Sequence, residues 1–248
     1  MSAIKLYGLI GYPLGHSFSK RYFTRKFLQE NLQDYQYDNF PIAHIDEFML
    51  LLENHSTLRG LNVTIPYKEK IIPYLHAQSE TVRQIGACNC IKIENGQLTG
   101  HNTDVPAFLQ SIKKMLQPHH QQALVLGTGG AAKAINFALD ELRINRLTVT
   151  RNKQLHGVIH YSDINAQLLQ DYSIIINTTP VGTFPDIDQC PDIPYQYLGS
   201  QHLLFDLVYN PEMSLFLQKG KERGAATRNG YEMLELQADK SWEIWQAH

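Results

Sequence analysis

A strand, a glycine run and a helix, read in that order across residues 123–142, constrain this chain more than any other stretch. Ala123-Leu-Val-Leu is a short apolar run, the pattern of a strand buried on both faces. It runs into Gly127-Thr-Gly-Gly-Ala-Ala132, and an apolar helical pattern then continues to about residue 142. Glycine at such a junction permits a tight turn and brings backbone N–H groups close to a pyrophosphate at the helix N-terminus. Gly127, Gly129 and Ala132 carry the spacing of the dinucleotide fingerprint, in the strand-to-helix setting that the fingerprint needs. Arg146-Leu-Thr-Val-Thr150 supplies the next strand and completes a β-α-β unit. Where an acid would bond a free ribose 2′-hydroxyl, the chain carries Thr150-Arg-Asn-Lys153. Arg151 and Lys153 suit a 2′-phosphate, the first as a fork of donors and the second as a point charge. NADP is the expected cofactor; the alternative is a solvated basic turn.

The N-terminal half reads as a second unit with its own strand–helix alternation, which implies a largely parallel sheet. Strands are expected at 4–11, 35–42 and 60–65, with helices at 21–31, 45–53, 67–75 and 79–85. Glu94-Asn-Gly96 is a hairpin signal between strands at 88–93 and 97–101. In Gly60-Leu-Asn-Val-Thr-Ile-Pro-Tyr-Lys68, Asn62 and Thr64 alternate onto one face of a strand that Pro66 stops. Lys68 follows at the expected strand-to-helix junction. Amide, hydroxyl and ammonium together suit a polyhydroxylated ligand and a proton transfer, against the plain reading of a polar strand edge. Ser17 and Ser19 stand at a helix start, where one hydroxyl would serve as a cap and two suit an anionic group. Asn102-Thr-Asp104 opens a helix expected over 105–116, with Thr or Asp as its cap. The polar stretch 117–122 marks a domain boundary. Its adjacent histidines lack a third donor nearby in sequence. Further strands are expected at 172–180 and 202–208, and helices at 213–220 and 231–245. Gln237 sits among apolar residues on the last of these, either at the edge of its buried face or aimed into a cleft.

Composition excludes several classes. A net charge of -2 gives no pull toward nucleic acid or an anionic membrane. No stretch reaches the roughly 18 apolar residues of a membrane span, and the N-terminus lacks the apolar core of a signal peptide. Three cysteines argue against a disulfide framework, and Cys88 and Cys90 lack the spacing of a zinc site. The expectation is a cytoplasmic protein with no metal.

Eight segments, in order, resemble one family. They are Gly11-Tyr-Pro-Leu-Gly-His-Ser-Phe-Ser, Asn62-Val-Thr-Ile-Pro-Tyr-Lys, Gly86-Ala-Cys-Asn, Asn102-Thr-Asp, Gly127-Thr-Gly-Gly-Ala-Ala, Asn177-Thr-Thr-Pro-Val-Gly, Asp206-Leu-Val-Tyr-Asn-Pro and Asn229-Gly-Tyr-Glu-Met-Leu-Glu-Leu-Gln-Ala. Together they span nearly the whole chain and are similar to shikimate dehydrogenases. The resemblance implies an α/β chain of two domains. Residues 1–103 would bind shikimate or 3-dehydroshikimate, with the helix from 231 to 248 returning to them. Residues 104–230 would form a Rossmann-type doubly wound domain for NADP. It further implies Lys68 and Asp104 as catalytic groups, with Ser17, Ser19 and Tyr209 near the substrate carboxylate. Thr64, Asn89, Asp104 and Gln237 would hold the hydroxyls. Gly127, Thr128, Gly129, Gly130, Ala131, Arg151, Asn152, Lys153, Thr178 and Gly230 would hold the nucleotide. The implied reaction is NADPH-dependent reduction of 3-dehydroshikimate to shikimate by a monomer or homodimer. The alternatives are a quinate- or NAD-using relative and a non-catalytic binding protein on the same fold. The chain departs from the pattern at Lys20, where a Pro is usual, at Val105-Pro-Ala107, at Thr183 in place of Met, and at Leu155, where NADP users often carry a basic residue.

Overall fold

The computed structural model describes residues 4–14, 18–152 and 154–247. The chain divides into two compact units, one of residues 1–103 and 235–248 and the other of residues 104–234.

The first unit runs β1 (Lys5–Gly11), α1 (Phe18–Gln29), β2 (Tyr35–Pro41), α2 (Glu47–Asn54), β3 (Leu58–Val63), β4 (Ala77–Gln78), α3 (Glu80–Ile85), β5 (Cys90–Glu94) and β6 (Gln97–His101). The six strands lie in the order β2-β1-β3-β5-β6-β4. Pairings β1–β2, β1–β3 and β4–β6 are parallel, and the β5–β6 hairpin introduces two antiparallel pairings. Its turn is Asn95-Gly96, both at positive φ, as a tight hairpin requires.

Alternation along the strands gives the sheet two different faces. Leu6, Ile10, Leu61, Val63 and Ile91 point one way, into a core shared with Phe48 and Leu51 of α2. Tyr7, Leu9, Tyr37 and Cys90 point the other way, against Phe23 and Phe27 of α1 and against Ala238 and Trp245. The last two belong to α8 (Tyr231–Gln246), whose residues from Glu235 onward are part of this unit. Tyr22 and Lys26 of α1 both donate to the Asp239 carboxylate, at 2.6 and 3.2 Å. Trp245 lies against β3 at Gly60 and donates its indole N–H to the Ile91 carbonyl at 3.0 Å. A Cβ on Gly60 would stand 2.3 Å from the indole nitrogen, so glycine is what lets the ring reach the strand.

The second unit runs α4 (Asp104–Lys113), β7 (Gln122–Leu126), α5 (Gly130–Glu141), β8 (Asn145–Thr150), β9 (Ile159–His160), α6 (Ala166–Asp171), β10 (Ile174–Asn177), β11 (Leu203–Asp206), α7 (Leu215–Glu222), β12 (Ala226–Arg228) and the first turn of α8. Its sheet, in the order β12-β11-β10-β7-β8-β9, is parallel throughout. The all-apolar runs Ile174-Ile-Ile and Leu203-Leu-Phe are fully buried, because helices cover both faces of a doubly wound sheet.

Several expectations from the sequence need correcting, among them that the helix expected over 105–116 ends at Lys113 and that the strands expected to reach 180 and 208 end at Asn177 and Asp206. Residues 67–75 do not form a helix: the chain makes turns there and one short 3-10 segment, Ile72–Tyr74. Pro73 lacks an N–H and its ring opposes the carbonyl four residues back, so an α-helix cannot run through it. Lys68 therefore sits in a turn and not at a helix start. The helix expected at 213–220 begins at Leu215, because the Ser214 hydroxyl accepts from the Leu217 N–H and caps it. The strand expected from 88 begins at Cys90.

Replacing Gly60 with Ala is expected to lower stability by about 1–3 kcal/mol, the usual cost of overpacking a filled site. Urea unfolding measures it. An unchanged midpoint would mean that Trp245 does not rest on β3.

Candidate active site

The C-terminal end of β3 and the strands beside it carry a buried hydrogen-bonded cluster within the first unit. Asn62 is 3% exposed on the α8 side of the sheet. Its carbonyl oxygen accepts from the Tyr37 phenol at 2.9 Å, and its amide donates to Ser241 Oγ at 2.8 Å. Ser241 donates in turn to the Gln237 carbonyl at 2.9 Å. Asn89 and Thr103 bond each other twice. The Thr103 N–H donates to Asn89 Oδ1 at 2.7 Å, and Asn89 Nδ2 donates to Thr103 Oγ1 at 2.9 Å. Thr103 Oγ1 lies 3.4 Å from Ser241 Oγ, which joins the two halves of the cluster. Burial pushes the Tyr37 phenol well above its ordinary pKa, while the Ser19 hydroxyl bonded to it works the other way. Tyr37 is a neutral donor at physiological pH.

The residues expected to meet the substrate are placed as follows. Ser17 lies outside the described residues. Ser19 is buried on α1 and bonded to Tyr37. Thr64 follows β3, its N–H donating to the Ile10 carbonyl at 2.9 Å. Lys68 is half-buried, and its carbonyl accepts from the Cys88 N–H at 2.7 Å, which ties the Lys68 turn to the segment that carries Asn89. Asp104 is buried and begins α4, one peptide bond beyond Thr103. Gln237 is buried on α8. Tyr209 belongs to the second unit, in the loop after β11. Sequence reasoning missed Tyr37, Thr103 and Ser241 as members of the cluster. The available signals were the alternation of β2 and the one-turn spacing of Gln237 and Ser241 on α8.

The second unit holds the glycine loop. Gly127 has φ +119°, and a Cβ there would stand 2.6 Å from Thr178 Oγ1. Thr178 bonds the end of β7 through its hydroxyl and its N–H, both to the Leu126 carbonyl, at 2.7 and 3.0 Å. Gly129 caps α5 without any side-chain bond, and a Cβ built on it would meet nothing within 4 Å. Gly129 gives this 12-residue helix no side-chain cap and leaves space beside its own Cα, which fits a phosphate group at the helix N-terminus. Arg151 is exposed directly after β8. Asn152 is fixed in the turn that follows, its N–H donating to Thr150 Oγ1 at 3.1 Å and its Oδ1 accepting from the Gln154 N–H at 3.0 Å. Lys153 lies outside the described residues. Gly230 is held for packing: a Cβ would stand 2.2 Å from the Leu207 carbonyl oxygen.

At the end of β11, Asp206 is fully buried and accepts from Asn177 Nδ2 at 2.9 Å, from the Val208 N–H at 3.0 Å and from the Ser214 hydroxyl. Among the described residues no group of three or more His, Cys, Asp or Glu is placed to hold a metal ion.

The shikimate dehydrogenase substrate-binding domain model matches residues 9–91. A shikimate dehydrogenase (NADP(+)) of Carboxydothermus hydrogenoformans is 37% identical over 257 residues, covering 97% of this chain and 91% of that protein. The chain belongs to the shikimate dehydrogenase family. The shikimate dehydrogenase (NADP(+)) of Desulforamulus reducens is 34% identical over 260 residues, covering 96% of this chain and 88% of its own length. The crystal structure of the Thermus thermophilus shikimate 5-dehydrogenase in complex with NADP(H) and shikimate superposes with a TM-score of 0.86. It is 28% identical and covers 98% of this chain and 94% of its own. In this member of the shikimate dehydrogenase family, the buried cluster and the glycine loop are contributed by different units of the chain.

Burial pushes the Asp206 carboxyl up to about 6, against the three bonds that favour its charged form. An unfolded Asp titrates near ~3.9. Between those values the folded state holds more protons than the unfolded one, so this group's contribution to stability falls as pH rises from about 4 to about 6. Asp206→Asn removes that fall. Relative to the parent, the variant is expected to be more stable at pH 7 than at pH 4 by up to about 3 kcal/mol. Urea unfolding at the two pH values measures the difference, and identical pH slopes would contradict it.

Proposed function

We propose that the chain catalyses the reversible, NADPH-dependent reduction of 3-dehydroshikimate to shikimate, a step in the biosynthesis of aromatic amino acids. Family membership supports the reaction class. The observation that carries the reading within this chain is the buried cluster around Asn62, which sets Asn89 and Ser19 in fixed positions at one end of the sheet. A ligand bearing a carboxylate and several hydroxyls suits Ser17 and Ser19 at one end and Thr64, Asn89, Asp104 and Gln237 at the other, with Tyr209 near the carboxylate.

NADPH, when bound, supplies the hydride. The N–H groups of Thr128, Gly129, Gly130 and Ala131 are suited to its pyrophosphate, with Gly127 turning the chain there while its own N–H bonds the Val149 carbonyl at 2.9 Å, and Arg151, Asn152 and Lys153 are suited to the 2′-phosphate. Thr178 and Gly230 shape the loops beside it. As hydride reaches the carbonyl carbon, the oxygen gains negative charge and takes one proton, which makes the product hydroxyl. Lys68 is assigned that proton, given from its ammonium, and its charge favours the developing alkoxide. Asp104 is assigned the neighbouring substrate hydroxyl. Three thiols, none of them in a disulfide, support a cytoplasmic setting.

Lys68→Ala is expected to lower kcat by about 10²–10⁴, the usual worth of a positioned proton donor. Arg151→Ala is expected to raise KM for NADPH at least about tenfold and leave KM for NADH nearly unchanged, because only NADPH presents the 2′-phosphate. Both follow from NADPH or NADH oxidation with 3-dehydroshikimate. Undiminished turnover without Lys68 would remove it from the chemistry, and equal effects on the two cofactors would remove Arg151 from the 2′-phosphate. An unsubstituted chain that reduces no 3-dehydroshikimate would overturn the reading as a whole.

A further inference from the structure

The hydrogen bonds around Asn62 have a definite direction. The Tyr37 phenol donates to Asn62 Oδ1, an oxygen that can only accept. The Ser19 hydroxyl bonded to Tyr37 therefore donates to it. Asn62 Nδ2 donates to Ser241 Oγ, and Ser241 donates its own proton to the Gln237 carbonyl. Ser241 Oγ, which also meets the buried Cys90 thiol, accepts from Thr103 Oγ1 on its remaining lone pair, while Thr103 Oγ1 accepts from Asn89 Nδ2. Each hydroxyl proton is used once. Ser241 is the side chain that joins the Asn62 side of the circuit to the Asn89–Thr103 side, beside a long 3.4 Å bond from Asn62 Nδ2 to the Asn89 carbonyl. It is completely buried and comes from α8, far along the chain from Tyr37, Asn62, Asn89 and Thr103.

We propose that Ser241 is a positioning residue for substrate reduction, holding Thr103 and through it Asn89 in place, and with them the backbone entering Asp104. This rests on the functional reading above. Ser241 acts through its neighbours and carries no chemical step. Removing its hydroxyl leaves Asn62 Nδ2 with only the Asn89 carbonyl at 3.4 Å, and leaves the Thr103 hydroxyl without its acceptor. The Asn89–Thr103 pair then loses its tie to α8, and the hydroxyl-binding side chains lose a fixed geometry.

The test compares Ser241→Ala, Ser241→Thr and a control, Trp245→Phe. The control loses the indole bonds of α8 to the Ile91 carbonyl and to the Cys90 side chain, and keeps every hydroxyl and amide of the circuit. Ser241→Ala is expected to lower kcat/KM for 3-dehydroshikimate at least tenfold with KM for NADPH unchanged. Ser241→Thr, which keeps the hydroxyl, restores most of it. Trp245→Phe lowers the melting temperature but leaves kcat/KM as in the parent. Thr103→Val combined with Ser241→Ala is expected to cost little more than either alone, because both break one shared contact. A second readout needs no turnover. Amide hydrogen exchange at Thr103 should speed up at least tenfold in Ser241→Ala and not in Trp245→Phe. Equal kcat/KM in Ser241→Ala and the control, or an unchanged Thr103 amide, overturns the proposal. A parent that reduces no 3-dehydroshikimate overturns the functional reading, while Thr103 exchange still decides whether Ser241 holds the pair.

Discussion

The carboxamide of Asn62 is the constraint around which the first unit is built. An amide 3% exposed must have both its ends satisfied, since a buried polar group left unpaired costs about 1–3 kcal/mol. Tyr37 satisfies one end and Ser241 the other, so β2, β3 and α8 can come together in only one register. The same bonds fix the side chains proposed to meet the substrate. Fold specificity and ligand geometry thus share one set of contacts, which is how a buried polar cluster earns its place in an otherwise apolar interior.

That cluster also explains the asymmetry of the sheet. One face is a plain aliphatic and aromatic core against α2. The other is crowded with rings, Tyr7, Phe23, Phe27, Tyr37 and Trp245, whose phenol and indole groups each reach a partner. Rings of this kind bury a large area while keeping one polar atom at the rim. On this face the rim is where Asn62, Asn89 and Thr103 stand. The second unit solves a different problem. Its parallel strands are apolar in their interior runs, and polar groups gather at the strand ends, at Thr150, Asn177 and Asp206, beside the turn at Gly127. Ligands of doubly wound sheets bind beyond those ends.

Local signals in the sequence carried much of this. The run 123–132 announced a strand, a tight turn and a helix start through its glycines and its apolar pattern, and Gly127 indeed takes a positive φ there. Asn95-Gly96 announced the hairpin for the same reason, a backbone preference that neighbours cannot change. The helix at 67–75 misled because Tyr67, Ile71 and Ile72 have helical spacing, yet Pro73 forbids the bond that the pattern needs. Ser241 and Tyr37 stayed silent for a different cause. Each is an ordinary residue in its own element, and its meaning comes from a partner on another strand or more than a hundred residues away. No local pattern encodes such a pairing.

The side-chain amide of Asn62 offers the most direct test of the central claim, that this circuit is closed to water and holds the sheet end rigid. Its two protons can be followed by hydrogen exchange in nitrogen-15-labelled protein, beside an exposed amide such as that of Gln36. The account predicts that the Asn62 protons exchange orders of magnitude more slowly than those of Gln36, with the slowness of the surrounding core. Exchange at the rate of the exposed amide would mean that water reaches the circuit, and the closed hydrogen-bond circuit could no longer be the structural basis of the site.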